Sequence, residues 1–295
     1  MLKFFLGVVA VMFKEANFKK LIEAIFSSEF NVVRVHVVPS RSLLVSSFSG
    51  VFIRELVLVN CSQLKKFNVF FRVSPLGVFK DGSVVFLWNR VMKGKASLVR
   101  IFSGRKYFMV FSGLASVCRE FLNCIIGYGE LRWNDVRFFI SEIEVSNYKI
   151  PSDKPAVKLD GASYVKVAFR TPVLIADVFE DRVRYLPDPG YLFSRNVKEV
   201  FNLSNEEYVR LLNMFSAVLQ ETHNVWNTVR KVDCLFRDHI VSGLVGYVKY
   251  FVDWDFLKKH EGLKEILENV LTHAELSGVG LNREYGFGYV TIRTE

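Results

Sequence analysis

The four cysteines in this 295-residue sequence include no C-x-x-C pair. Zinc knuckles and dithiol redox motifs use that spacing, so the sequence predicts neither of them. Four cysteines are also too few for a disulfide framework in a chain of this length, and we expect all four to be buried free thiols. No cluster of Cys, His and Asp has the spacing of metal ligands, so no metal site and no cofactor is predicted.

Apolar runs of the ~20 residues that a membrane helix needs are also missing. The longest candidate, residues 2–13, is shorter than that and is interrupted by Lys3. A positive residue before an apolar run is typical of a signal peptide, but Lys14 and Glu15 follow where a cleavage site needs small residues. We therefore predict a packed N-terminal extension at residues 1–28, and a cytoplasmic protein without membrane contact.

The composition is that of a basic globular protein. Hydrophobic residues make up 51% and charged residues 23%, which is enough to build a core and excludes a disordered chain. The 28 phenylalanines favour a sheet-rich structure. A formal net charge of +9 attracts polyanions, either nucleic acid or an anionic membrane surface. A basic protein with no such partner remains an alternative at this point.

Hydrophobic periodicity predicts a mixture of strands and helices in the first half of the chain. Residues 31–38 alternate, with three valines on one face and Arg34 and His36 on the other. Further strands are predicted at residues 67–73, 84–88, 98–102, 106–111 and 138–145, and helices at 46–60 and 114–126.

A polar stretch containing Pro151, Pro155 and Asp160 predicts a domain boundary. The second half is predicted to have the order strand, helix, strand, strand, helix, strand. Ser204 and Glu207 match the capping-box pattern before the first of these helices. This order is that of the ferredoxin-like unit, and the first half shows the same order with additional elements. We therefore predict an α+β protein with two tandem ferredoxin-like (βαββαβ) domains, at residues 29–150 and 161–295, whose sheets meet along a basic cleft.

A glycine-rich loop is predicted between the last helix and the last strand. Glycine permits positive φ and close backbone approach, so the loop could crowd N–H groups around phosphate oxygens. Asn282 and Arg283 would add donors. The alternative to phosphate binding, that the loop is only a structural turn, stays open. A dinucleotide fingerprint would instead precede a helix, and the G-K-[ST] ending of a phosphate-binding P-loop is missing. The loop's glycines are Gly278, Gly280, Gly286 and Gly288.

This G-x-G-x5-G-F-G pattern before a closing strand resembles the C-terminal signature of the RAMP superfamily of RNA-processing proteins. The segment SGLVGYVKY at residues 242–250 is similar to the strand before the last helix in the CRISPR repeat endoribonucleases. The segment VKVAFRTPVL at residues 165–174 is similar to the strand that opens their second domain. The resemblance covers residues 160–295, whereas over residues 29–150 it rests on topology.

The resemblance implies a metal-independent endoribonuclease that binds CRISPR repeat RNA, as a hairpin or a single strand, and cuts precursor guide RNA. In that reaction the ribose 2′-OH attacks the adjacent phosphate and leaves 2′,3′-cyclic phosphate and 5′-OH ends. A base, an acid and cations for the developing charge are required. The alternative is a non-cleaving subunit of the same fold that holds guide RNA in an effector complex. Other effector subunits and a second copy of the chain are the further partners considered.

The resemblance also directs attention to particular residues. The family places a catalytic histidine on or near the first helix, whereas His36 lies on the strand before it. Members without that histidine use lysines or arginines of the first domain, which points to Arg54, Lys65 and Lys66. For every basic candidate a solvated surface charge is the alternative. The predicted RNA-binding residues are Gly278, Gly280, Asn282, Arg283, Gly286, Gly288, Lys166, Arg170, Lys231, Arg237 and Lys249, with Lys158 as a further cation and Tyr247 and Tyr285 as stacking aromatics.

Overall fold

The computed structural model describes residues 29–67, 71–152, 154–177, 182–201, 203–222 and 225–295. The predicted N-terminal extension at residues 1–28 lies outside these ranges. Within them, no helix is both long enough and apolar enough to cross a membrane.

Alternating valines build the central strand of the first sheet. Strand β1 (Glu29–Pro39) turns Val33, Val35 and Val37 into the core, where they are fully buried. The elements that follow are β2 (Leu43–Val45), α1 (Ser49–Asn60), β3 (Phe71–Val73), β4 (Gly77–Lys80), β5 (Ser83–Phe86), β6 (Val91–Met92), β7 (Lys95–Ala96), β8 (Val99–Ile101), β9 (Tyr107–Leu114), α2 (Ala115–Tyr128), β10 (Glu130–Trp133) and β11 (Val136–Lys149).

The first sheet has the strand order β10-β11-β1-β9-β4-β5, and β3 also pairs with β9. Its valine face is covered by both helices, because Phe52 and Leu56 of α1 and Phe121 of α2 share one core with the valines of β1. Strand β1 therefore lies between β11 and β9, as the first strand of a ferredoxin-like unit does. The opposite face of this sheet, called its open face below, carries Arg34 and His36.

The second sheet repeats this arrangement around β12, which lies between β17 and β18. Helix α5 begins at the predicted capping box, in which Ser204 and Glu207 each bond the other's backbone. The elements are β12 (Tyr164–Val173), β13 (Ile175–Ala176), β14 (Val183–Arg184), α3 (Pro189–Leu192), α4 (Ser194–Val200), α5 (Asn205–Val218), β15 (Leu219–Glu221), α6 (Val225–Thr228), β16 (Val229–Phe236), β17 (His239–Val252), α7 (Trp254–Lys259), α8 (Leu263–Ser277) and β18 (Val290–Thr294).

The predicted fold class is therefore confirmed: the protein is α+β with two ferredoxin-like units, called the first and second unit below. The domain limits at 29–150 and 161–295 stay a prediction, although the two sheets take their strands from residues 29–149 and 164–294. The polar connector between the sheets is fastened to α8. The backbone N–H groups of Ser152, Val157 and Leu159 donate to the side chains of Asn269, Thr272 and Glu268.

The expectation of four free cysteines is wrong for two of them. Cys61 follows α1 and Cys124 lies in α2, and the two form a disulfide with their Cα atoms 5.8 Å apart. Their separation of 63 residues in sequence conceals this pairing, because only the packing of both helices on one sheet face brings them together. Cys118 and Cys234 are buried free thiols as predicted, and burial raises the pKa of each to about 12.

Removing the disulfide should destabilise the first unit. A loop of this length gives about 4 kcal/mol of stabilisation in the chain-entropy model, so we expect Cys61→Ala/Cys124→Ala to lower the free energy of unfolding by up to that amount. Urea denaturation measures the loss, and Cys118→Ala is the control because it removes a buried thiol that is not cross-linked. Denatured, unreduced protein should show two reactive thiols, and four would contradict the disulfide.

Candidate nucleic-acid interface and cleavage site

Three cations lie side by side on the open face of the second sheet. The strand register sets Lys166 of β12 directly opposite Lys249 of β17 on one side and Arg293 of β18 on the other. Like charges directly opposite each other destabilise a sheet, so this cation row costs stability unless an anion covers it. Glu295 offsets part of the charge, with its carboxylate 2.8 Å from Lys249 Nζ and 3.8 Å from Lys166 Nζ.

Aromatic rings accompany the cation row. The ammonium of Lys166 lies 4.5 Å from the centre of the Tyr247 ring, and that of Lys249 lies 4.2 Å from the Tyr164 ring. Arg170 belongs to the same face of β12, where its Nε donates to Thr291 Oγ1 at 2.9 Å. Cations interleaved with aromatics are the usual elements of a surface that binds single-stranded nucleic acid.

A groove of about 430 Å³ runs beside this face between the two units. Arg90 of the first unit, stacked 4.8 Å from the centre of a Trp88 ring, lines it opposite Arg230 and Tyr247. Lys231, on the same strand as Arg230, lies 4.5 Å from the Tyr185 ring. The predicted cations Lys166, Arg170, Lys231 and Lys249 thus lie on strands of one sheet, whereas Arg90, Arg230 and Arg293 were not predicted. Arg293 could have been found, because it alternates with buried residues in the last strand.

Tyr289 joins the open faces of the two sheets. It lies on the same face of the second sheet as Thr291 and Arg293, in the alternation that leads into β18. Its ring packs 4.6 Å from Phe86 of the first sheet, and Phe86 in turn packs on Phe108, which lies on the face that carries Arg34 and His36. The two open faces therefore adjoin each other, and the region that they line together is called the cleft below.

His36 lies in this cleft but is only 5% exposed. Its Nε2 is 2.8 Å from a Glu144 oxygen, and Arg34 binds the other oxygen of that carboxylate at 2.9 Å. The ring centre lies about 6 Å from the rings of Phe79 and Phe108. The pair with Glu144 therefore fixes the orientation of the imidazole.

Glu142 completes a cluster with this pair. His36, Glu142 and Glu144 each place one ligand atom within 4.8 Å of the others. Lys106 already binds Glu142 at 2.8 Å and is the main reason why the pKa of that carboxyl group lies below its usual value. Because both carboxylates are held by cations, the arrangement is better described as an ion-pair network around a histidine than as a metal-ligand set.

The other predicted catalytic cations lie on the opposite side of the first sheet. Arg54 of α1 is buried, and its Nη1 donates to the Glu284 carbonyl at 3.1 Å. Its guanidinium is 4.6 Å from the centre of the Phe71 ring and 4.9 Å from that of Tyr285, and burial lowers its pKa. Lys65 and Lys66 are exposed on the turn Ser62–Phe67 that follows α1. The four catalytic candidates are therefore not brought to one place.

The glycines of the glycine-rich loop serve close contacts within the protein. All four have positive φ and are buried. A Cβ on Gly280 would overlap the Leu174 carbonyl oxygen, and one on Gly288 would overlap that of Val279. Backbone N–H groups of the loop donate to protein carbonyls, including Leu281 to Leu174 at 2.7 Å and Gly288 to Pro172 at 2.9 Å. The glycine requirement is thus explained by packing, and phosphate binding by this loop stays a prediction.

Arg283 of the loop and Arg237 beside it also have protein partners. Asn282 adopts a left-handed conformation with φ of 55°. Arg283 is buried, and its Nη1 donates to Ser277 Oγ at 3.1 Å and to the Gly278 carbonyl at 3.2 Å while its Nη2 donates to Glu199. Arg237, at the β16–β17 turn, donates from Nη2 to the Tyr285 hydroxyl at 2.8 Å.

The two units together have a paired ferredoxin-like architecture, with the glycine-rich loop between the last helix and the last strand. Residues 167–290 match the family described as CRISPR-associated endoribonuclease Cas6. The predicted resemblance to the CRISPR repeat-processing endoribonucleases is thereby confirmed over these residues. No curated protein sequence matches the chain.

Solved structures extend the likeness of fold to most of the chain. A Cas6 product complex superimposes with a TM-score of 0.62 at 16% identity, covering 90% of this chain and 100% of the other. A Thermus thermophilus Cas6 gives 0.57 at 14% identity, with 90% and 99% covered. A Cas6-related protein from Pyrococcus furiosus gives 0.52 at 14% identity, with 90% and 99% covered. At these identities the comparison establishes the fold.

We predict that Gly280→Ala destabilises the protein more than Gly82→Ala does. Both glycines have φ near +70°, so both substitutions carry the same backbone strain. Only the Cβ at position 280 meets another atom, whereas the one at position 82 points into open space. We expect Gly280→Ala to cost roughly 1–3 kcal/mol more in urea denaturation. If the two variants are equally stable and Gly280→Ala alone weakens RNA binding, the result would instead support a phosphate-binding role for the loop.

Proposed function

We propose that this protein binds CRISPR repeat RNA and cuts precursor guide RNA in the cytoplasm. The carrying observation is that the cation row and the His36–Glu144 pair line one cleft between the sheets. Lys166, Lys249 and Arg293 would neutralise successive phosphates, and Tyr247 would stack on a base. An RNA chain on the second sheet can then reach the first sheet's open face through the same cleft.

Cleavage is proposed to proceed by attack of the ribose 2′-OH on the adjacent phosphate, which leaves 2′,3′-cyclic phosphate and 5′-OH ends. His36 is the candidate base, because Glu144 holds one ring nitrogen and stabilises the imidazolium formed on proton transfer. Arg34, bound to the same carboxylate, would place a positive charge near the phosphate as negative charge develops. Proton transfer requires RNA to reach a ring that is nearly buried, so RNA binding would have to expose the imidazole of His36.

A second set of candidates serves the same reaction from the other face of the first sheet. Arg54, Lys65 and Lys66 would act as cations that stabilise the transition state without proton transfer. The contact of Arg54 with the Glu284 carbonyl in the glycine-rich loop supports this role for Arg54. RNA bound at that position would pass along Arg237 and Tyr285 instead of the open sheet faces.

We predict that Lys166→Ala/Lys249→Ala weakens binding of repeat RNA. Loss of two phosphate contacts to a single strand should flatten the slope of log affinity against log salt by about 1.4. Fluorescence anisotropy at several salt concentrations measures both effects. Lys258→Ala is the matched control, because Lys258 is an exposed lysine on α7, outside this face. An unchanged slope in the double variant would remove the cation row from the RNA path.

We predict that His36→Ala slows single-turnover cleavage by about 10²–10⁴-fold while RNA affinity holds. Cleavage by the wild type should persist in EDTA, and a single 2′-deoxy substitution at the cut site should abolish it. His260→Ala is the control, since this histidine lies at the end of α7 and bonds its own helix. A normal rate in His36→Ala would transfer the role to Arg54, Lys65 and Lys66.

The same assay separates the enzyme from a non-cleaving subunit. Tight binding of repeat RNA without product, even at high enzyme excess, would indicate a protein that holds guide RNA in an effector complex. Other effector subunits or a second copy of the chain would then be its expected partners, and light scattering with and without RNA would detect the latter.

A further inference from the structure

A cavity of about 610 Å³ lies between the two units, next to the glycine-rich loop. Its volume falls in the range of roughly 300–1,000 Å³ that is typical of small-molecule sites. Phe30 and Phe71 of the first unit and Ile150 of the connector supply apolar wall. The remaining wall is largely charged, and it belongs to neither set of catalytic candidates.

Arg72 is the unusual residue of this cavity. It is 4% exposed; its Nη1 and Nη2 make no hydrogen bond of good geometry, and the Tyr289 hydroxyl is the one neutral acceptor that acts on it. Its guanidinium lies 4.3 Å from the centre of the Tyr289 ring, and no carboxylate is among the groups that act on it. Burial, with a further contribution from Arg283, lowers its pKa to about 10, so it carries a charge at neutral pH. A buried charge is unfavourable unless a partner compensates it.

The rest of the cavity does not supply that partner. Besides Arg72, the wall contains the guanidinium groups of Arg283 and Arg195. The negative charges in the wall are the carboxylates of Glu199 and Glu284. Glu199 is bound by Arg283, which leaves the positive charge of Arg72 unmatched. The cavity therefore has an excess of positive charge at its buried end.

His273 and Ser277 complete the polar wall. Burial lowers the pKa of His273 to about 4, so its ring is neutral at neutral pH. Its Nδ1 lies 3.1 Å from Ser277 Oγ, and Arg283 Nη1 donates to the same hydroxyl at 3.1 Å. The charged end of the cavity therefore contains neutral hydrogen-bond donors and acceptors in addition to the guanidinium groups.

We infer that this cavity binds a nucleotide, with its phosphate on Arg72 and Arg283 and its base or ribose against Phe30 and Phe71. A phosphate supplies the negative charge and the well-oriented acceptor oxygens that the Arg72 guanidinium lacks. The volume and the aromatic walls fit a whole nucleotide better than an inorganic anion. The nucleotide has two sources, one residue of the bound RNA or a free mononucleotide, and only the first rests on the proposed function.

Thermal unfolding of the full chain tests the site. Millimolar ribonucleoside 5′-monophosphates should raise the Tm of the wild type, whereas the matching nucleosides should not, because they lack the phosphate. Arg72→Met should abolish this shift. Arg100→Met, an exposed arginine on β8, should retain it. Without ligand, Arg72→Met should be at least as stable as the wild type, since an unmatched buried charge is replaced by an apolar chain of similar length.

A second variant keeps the test decisive if Arg72→Met fails to fold. Leu114→Trp narrows the cavity from its partly exposed rim and leaves both arginines in place. We expect it to weaken mononucleotide binding at least ~10-fold, which corresponds to about 1.4 kcal/mol. Absence of any nucleotide effect on the wild type, together with normal RNA affinity in Leu114→Trp, would overturn the inference.

Repeat RNA distinguishes the two sources. If one RNA phosphate occupies the site, Arg72→Met should lower RNA affinity and flatten the salt slope by about 0.7. If a free mononucleotide is the ligand, the variant should bind and cut RNA normally while losing the nucleotide-dependent rise in Tm. A wild type that never cuts RNA but gains stability from nucleotides through Arg72 would contradict the proposed function and leave this site standing.

Discussion

The structure depends on the close packing of the glycine-rich loop between its two units. A Cβ on Gly50 of α1 would overlap the Tyr285 carbonyl oxygen, and one on Gly286 would lie 3.0 Å from that of Val73. Phe48 of the first unit stacks on Phe287 of the loop with ring centres 4.0 Å apart. These contacts need backbone without side chains, which only glycine provides. The loop therefore fixes the positions of Arg54, Tyr289 and the cavity walls together, and a change in the loop would alter all three.

Much of the fold was predictable because local patterns and the fold agree. The valine alternation in β1 shows which face is buried, and the capping box of Ser204 and Glu207 marks the start of α5. The order of strands and helices then leaves few topologies for each half. Lys166 and Lys249 were correctly placed on one sheet because both lie on strongly patterned strands.

The remaining features depend on register and packing, which a single sequence does not encode locally. The cation row exists because three strands align Lys166, Lys249 and Arg293, and a shift of one residue would remove it. The Cys61–Cys124 disulfide depends on how two helices pack. The glycine spacing indicated a loop with special backbone needs but could not distinguish an approach to phosphate from an approach to protein. The unmatched charge of Arg72 has no signal in its sequence neighbours.

The proposed function would give the two sheets different physical tasks. The second sheet holds its cations on an open face near Tyr164 and Tyr247, where they are accessible to a polyanion. The first sheet holds His36 in a nearly closed ion-pair network, in which the charges are paired with each other and little charge is free to attract RNA. Binding energy gained at the cation row would therefore be needed to bring RNA against His36, since that surface offers little attraction of its own. Tyr289 contacts Phe86 and so connects the two faces along which RNA would have to pass.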